Sequence, residues 1–215
     1  MQSYNMKSLL AILICSLIAL NSFVSSAQTD LDEMTKDELL VSLDLGKYAD
    51  LIKKFQIKEA TRLHNDVYNP KTTECKIETM RSGEVIIITI PTELLFQPNG
   101  IELISGCDKV LNPLRRYLKT PDFYRVLLVM HTDDTGSEAY TDELSLNRVD
   151  AVFEWFELQG TDTTYLFPTA SGASEPLWGV KNNSAINRAK NRRLEVYLIP
   201  GEEMLRQAKT GRIAF

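Results

Sequence analysis

The sequence predicts an α+β domain, helices laid against a sheet, preceded by a short helical region. Two β-branched or aliphatic runs, residues 84–90 (Glu84-Val85-Ile86-Ile87-Ile88-Thr89-Ile90) and 126–130 (Val126-Leu127-Leu128-Val129-Met130), read as buried strands. Between and after them the apolar residues recur at helical spacing, as in Leu103, Val110, Leu111, Leu114 and Leu118. Before them, Leu39, Leu40, Leu43 and Leu45, then Tyr48, Leu51, Ile52 and Phe55, keep the same helical period.

Taken in order, the elements alternate. The helical region runs from Thr29 to about Asn69, with Thr35-Lys36-Asp37-Glu38 opening its leucine run, and packs on itself or on the next domain. Asn69-Pro70-Lys71-Thr72-Thr73 is turn-like and serves as a linker. Ser82-Gly83 and Pro91 bound the first strand, and Thr120-Pro121 stops a helix predicted over residues 102–118. A second long helix spans residues 137–159, with Ser137 as its N-cap and Gly160 as its stop. A short strand at 165–169, a short helix at 184–190 and a closing strand at 194–199 complete a β-α-β-α-β-α-β order. The tail, residues 201–215, reads as a surface helix. The expected divisions are therefore 1–27, 28–80, 81–200 and 201–215.

The first of these divisions reads as a secretory signal peptide, with an uncleaved anchor as the alternative. Lys7 supplies the positive start, Leu9 opens an apolar run to Leu20, and Ser25-Ser26-Ala27 offers a small-x-small cleavage site before Gln28. The apolar run is shorter than the roughly 20 residues needed to span a bilayer. Cys15 raises lipid modification, but the bulky Ile14 before it argues against that route. No later stretch is long enough for a transmembrane helix, and the chain before the sheet is too short for a β-barrel. Cys75 and Cys107 would remain after cleavage; in an oxidising compartment they either pair or stand as separate buried thiols.

Composition narrows the function classes. Of 215 residues, 44% are hydrophobic and 25% charged, an ordinary globular balance. With 24 basic against 29 acidic residues the formal charge is −5, which argues against nucleic-acid binding. Two His and three Cys make a zinc site unexpected, and no phosphate loop or nucleophile elbow occurs. His131 near Asp133 could suggest acid–base chemistry, but no nucleophile accompanies it and a strand-end His is more often structural. No enzyme activity and no cofactor are expected.

The chemistry gathers around the second buried strand. His131-Thr132-Asp133-Asp134-Thr135-Gly136 leaves that strand and puts carboxylates at the sheet edge. In the following helix Thr141, Ser145 and Arg148 are spaced i, i+4, i+7 and share one face, at the border of the apolar stripe Val149, Val152, Phe153 and Phe156. A carboxylate and a guanidinium would then face one small space. Arg192 falls on the apolar parity of the closing strand and needs an anion there. The plain structural alternative is an internal ion network of Asp133, Arg148 and Arg192.

These motifs together resemble the OmpA-like C-terminal, peptidoglycan-binding domain family. The resemblance is carried by His131-Thr132-Asp133, by Leu144-Ser145-Leu146-Asn147-Arg148, and by Asn191-Arg192-Arg193 before the last strand, with Leu95-Phe96 matching an L-F turn. It covers residue 84 to about residue 200 and implies a two-layer sandwich with a mixed sheet. It implies non-covalent binding of the diaminopimelate of the cell-wall peptide stem, in the periplasm, with outer-membrane association open. Asp133 would accept from the ligand ammonium, Arg148 would grip its carboxylate in a two-point fork, and Arg192 would add a cation or hold Asp133. Thr141 stands where the family usually has Asn, Val149-Asp150 replaces the usual Ala after the Arg, and Asn187 replaces a Gly before Arg188. An alternative keeps the fold without wall binding and gives the work to the N-terminal helices and an envelope protein partner. A flagellar stator role fits poorly, since it requires a transmembrane helix.

Overall fold

The structure, a computed structural model, describes residues 35–40, 45–70 and 73–215. The expected signal segment and Cys15, together with Leu43, Lys71 and Thr72, lie outside the described residues. The chain divides into a unit ending at Glu38 and a compact unit Leu39–Phe215. At the end of the first, the Thr35 backbone N–H donates to the Glu38 carboxylate, and the Glu38 N–H donates back to the Thr35 hydroxyl. That reciprocal cap starts the short helix Lys36–Leu39 where the sequence places a helix opening.

The second unit contains helix α1 (Ala49–Arg62) with a π turn (Leu63–Val67), then strands β1 (Lys76–Met80) and β2 (Val85–Pro91). A short helix α2 (Asp108–Leu111) runs into a 3-10 helix (Asn112–Leu118), followed by β3 (Tyr124–His131) and the long α3 (Glu138–Leu158). Strand β4 (Leu166–Gly172), α4 (Ala185–Asn191), β5 (Arg193–Pro200) and α5 (Glu202–Lys209) complete it. The five strands form one mixed sheet in the order β1-β2-β5-β3-β4, antiparallel except for the β3–β4 pair.

Strand alternation explains the layers. Ile86, Ile88 and Ile90 of β2, Val126, Leu128 and Met130 of β3, and Leu194, Val196 and Leu198 of β5 share one face. All nine are buried with Ile52 of α1, Leu111 and Leu114, Val149, Val152 and Phe156 of α3, and Met204 and Ala208 of α5. This is the expected α+β sandwich of helices on a mixed sheet. The other parity carries Leu127, Val129, Tyr197 and Ile199, also buried, and the polar residues His131, Arg193 and Glu195.

Three expectations need correction, and one open alternative is decided. The edge strand β1 has no counterpart among the expected elements; it lies inside the segment 28–80 assigned to helices and linker, so that boundary cuts through the sheet. The helix expected over 102–118 is regular only over Asp108–Leu111 and tightens to 3-10 where Pro113 removes a backbone donor. Of the two arrangements expected for the N-terminal helix, it does not pack on itself but on the domain: the wholly buried Gln56 of α1 donates to the Glu84 and Leu198 carbonyls and accepts from the Tyr124 hydroxyl. The tail is not a surface appendage either, because Met204 and Ala208 are fully buried and the Phe215 ring stacks 4.7 Å from that of Phe123. Cys75 and Cys107 are both buried and both free thiols.

Candidate functional site: a cleft with a paired aspartate and a buried arginine

The cleft begins where β3 ends. Asp133 lies two residues past His131, and its Oδ1 accepts from the Thr135 N–H at 2.8 Å, a side-chain turn that fixes the carboxylate. Its Oδ2 accepts from Arg192 Nη1 at 2.6 Å. Burial alone would raise the Asp133 pKa, but the bonds from Thr135 and Arg192 outweigh it and hold the carboxyl below its ordinary range. The group is therefore a carboxylate at neutral pH.

Helix α3 forms the opposite wall. Ser137 caps it by accepting from the Tyr140 N–H, as its residue type predicts. Tyr140, Thr141, Leu144 and Arg148 of this helix line the cleft, whose volume is about 350 Å³. Arg148 is only 3% exposed. Its Nε donates to the Gly100 carbonyl at 2.9 Å and its Nη2 reaches the Gln97 carbonyl at 3.5 Å. The guanidinium carbon stands 5.1 Å from the Phe96 ring centre, a cation–π contact. Burial pulls its pKa down, with Arg192 adding to that and Asp133 opposing it, yet an arginine stays charged.

The expected three-residue ion network does not form. Asp133 and Arg192 pair, whereas Arg148 has no ion pair among the described residues and is held only by carbonyls and a ring. A buried cation without a carboxylate is costly unless something anionic completes it. Arg192 is also not on the core side. It caps the end of α4, one residue before β5, with its side chain 36% exposed, so strand parity does not govern it. Thr141 is buried on the cleft wall, and its hydroxyl donates to the Glu138 carbonyl within the helix, leaving only acceptor capacity. Ser145 shares the sequence face but not the cleft; its hydroxyl accepts from the Gly172 N–H and joins α3 to β4.

Sequence reasoning missed part of the lining. Tyr140 and Leu144 stand eight and four residues before Arg148, a stripe that the helical period makes visible once Arg148 is chosen. Phe96, Gln97, Pro98 and Asn99 come from the segment after β2, and Arg188 from α4. His131 is not part of the cleft. Its Nε2 lies 3.4 Å from Glu195 Oε2, and burial keeps its pKa below the ordinary histidine value. Around Glu195 gather Arg193, whose Nε donates at 2.6 Å, and the Tyr197 hydroxyl. This polar cluster supports the sheet end from which the Asp133 loop departs. Among the described residues no group of acids, His and Cys could hold a metal, and no helix is long and apolar enough to cross a membrane.

An acid beside an unneutralised arginine complements a group that carries ammonium and carboxylate together. Residues 95–192 match the model of the OmpA family, a span that contains every cleft residue from Phe96 to Arg192. The chain is 30% identical over 131 residues to the Escherichia coli (strain K12) protein named Probable lipoprotein YiaD, covering 58% of this chain and 56% of that one. It is also 30% identical over 103 residues to the peptidoglycan-binding protein ArfA of Mycobacterium tuberculosis (strain ATCC 25618 / H37Rv), covering 48% and 31%. Against solved structures, it superposes on a MotB-like protein of Desulfovibrio vulgaris with a TM-score of 0.60 and 26% identity, covering 72% of this chain and 94% of that one. The matching segments thus span about half or less of these two sequence relatives.

Proposed function

We propose that this chain, whose residues 95–192 match the model of the OmpA family, binds peptidoglycan non-covalently in the bacterial envelope, by the diaminopimelate of the peptide stem. The observation that carries the proposal is Arg148, buried at the cleft wall with no acid of its own. A stem carboxylate is the missing counterion, and the planar fork suits it better than a lysine would. The ammonium on the same diaminopimelate carbon falls to Asp133. Each carboxylate oxygen has two acceptor positions, so the bonds from Thr135 and Arg192 leave room for it. Arg192 holds Asp133 in register and contributes positive charge toward the ligand carboxylate. The relative ArfA, by its name a peptidoglycan-binding protein, supports the ligand class.

Location accords with the same reading: a wall-binding domain works in the periplasm, where a secretory leader at residues 1–27 would deliver it. The test is co-sedimentation of the purified chain, from Gln28 onward, with insoluble peptidoglycan. The wild type sediments with the wall, and Arg148→Ala, verified as folded by circular dichroism, stays in the supernatant. Free meso-diaminopimelate competes the wild type off. A folded Arg148→Ala that still sediments overturns the assignment of the site, and a wild type that does not sediment overturns the function.

A further inference from the structure

Trp178 is 99% exposed, while the chain's other tryptophan, Trp155, is buried. An indole wholly in water is unusual, since aromatic side chains are the largest apolar surfaces a protein can hide. The loop that presents it is held firmly. Asn191, itself fully buried, accepts from the Leu177 N–H at 2.9 Å and donates to the Val180 carbonyl at 3.1 Å and to the Asn182 side chain at 2.7 Å. Three bonds from one buried amide thus clamp the chain on both sides of Trp178. The same loop borders the cleft: Arg188, which lines it, donates from Nη1 to the Asn182 carbonyl at 3.2 Å.

We propose that Trp178 is a second binding subsite, a platform on which a sugar ring of the peptidoglycan glycan strand stacks while the peptide stem occupies the cleft. The proposal rests on the wall-binding reading above and adds the other half of the polymer to it. A flat, rigidly presented indole offers its face to the C–H side of a pyranose. The polar neighbours Lys181, Asn183 and Ser184 are exposed beside it and can serve the hydroxyl and acetamido groups. Polar side chains follow Trp178 from Lys181 to Ser184, and this mixture of an indole with hydrogen-bonding groups suits a sugar. The stem branches from the glycan, so a cleft and a platform joined through Arg188 match the connectivity of the ligand.

The test uses the full mature chain and separate probes for the two subsites: glycan strands stripped of peptide by an amidase, and free meso-diaminopimelate. Glycan strands should shift the exposed tryptophan emission to shorter wavelength and shield it from acrylamide. Trp178→Ala should weaken glycan binding about tenfold or more, Trp178→Phe should retain part of it, and diaminopimelate affinity should stay within about twofold of wild type. Being fully exposed, the position leaves the fold unchanged on substitution. Glycan binding equal in wild type and Trp178→Ala overturns the platform, as does a wild type that ignores glycan strands but loses acrylamide quenching on phosphatidylglycerol vesicles. Diaminopimelate binding alone distinguishes failure of the cleft: its loss with intact glycan binding overturns the stem reading and not the platform.

Discussion

Asp133→Asn removes one charge and almost no volume, which makes it a sharp probe of the cleft. The asparagine carbonyl can still accept from the Thr135 N–H, so the turn after β3 survives. At the other position an amide N–H₂ replaces the oxygen that meets Arg192 Nη1 at 2.6 Å, setting donor against donor. Arg192 is 36% exposed, so solvent screens the lost pair and its stability cost is about 1 kcal/mol or less. For a domain of this size that lowers Tm by about 2–4 °C. Affinity should suffer more. A charge-assisted bond to the ligand ammonium contributes about 1.5–3 kcal/mol, a loss of about 10- to 150-fold. Isothermal titration with meso-diaminopimelate reads the affinity, and thermal melting by circular dichroism reads the stability. Retention of affinity within about twofold would refute the role given to Asp133. A Tm drop beyond about 8 °C would refute the claim that its pairing with Arg192 matters little to the fold.

Two further substitutions test the scaffold. Gln56→Leu leaves the Tyr124 hydroxyl and the Glu84 and Leu198 carbonyls without their buried partner. It should cost about 2–3 kcal/mol, seen as a lower urea midpoint with unchanged slope; no change would mean α1 is not integral to the domain. Burial alone would raise the Glu195 pKa, but His131, Arg193 and Tyr197 together hold it down to about 2, against 4.5 for an unperturbed glutamate. Its folded pKa is depressed, so its contribution is complete above about pH 4.5 and is lost as the pH falls through about 2. Glu195→Gln strands the buried Arg193 charge and should destabilise by about 3 kcal/mol at pH 7. In urea titrations that gap should close toward pH 2, and a gap independent of pH would refute the linkage.

What could be read from the sequence depended on the strength of local patterns. The runs at 84–90 and 126–130, and a helix bounded by Ser137 and Gly160, became β2, β3 and α3 within a few residues. Strand β1 could not be read, because Lys76-Ile77-Glu78-Thr79-Met80 is an exposed edge whose polar residues carry no apolar period. The tail misled for a related reason. Met204, Ala208 and Phe215 are too sparse to signal a core, yet partners as distant in sequence as Tyr117 and Phe123 bury or stack them. In the site, the end of the strand placed Asp133 and helical period placed Arg148 at one cleft, but Arg192 was assigned by strand parity although the strand starts one residue later. The polar cluster of His131, Arg193 and Glu195 also escaped notice. Each member sits on the parity that period reserves for solvent, and only the register His131↔Arg193 brings them together.

The place of β5 in the sheet has a temporal meaning. This strand, next to last among the elements, lies between β2 and β3 and supplies all the hydrogen bonding that joins them. A nascent chain halted after β4 would hold two separate ribbons, β1 with β2 and β3 with β4, and no common core floor beneath its helices. Such pairings between remote segments form late and slowly, since loop closure precedes any compensating contact. The domain therefore stays open through most of its synthesis and shuts in a single late step, like a zip whose slider arrives with the last strand.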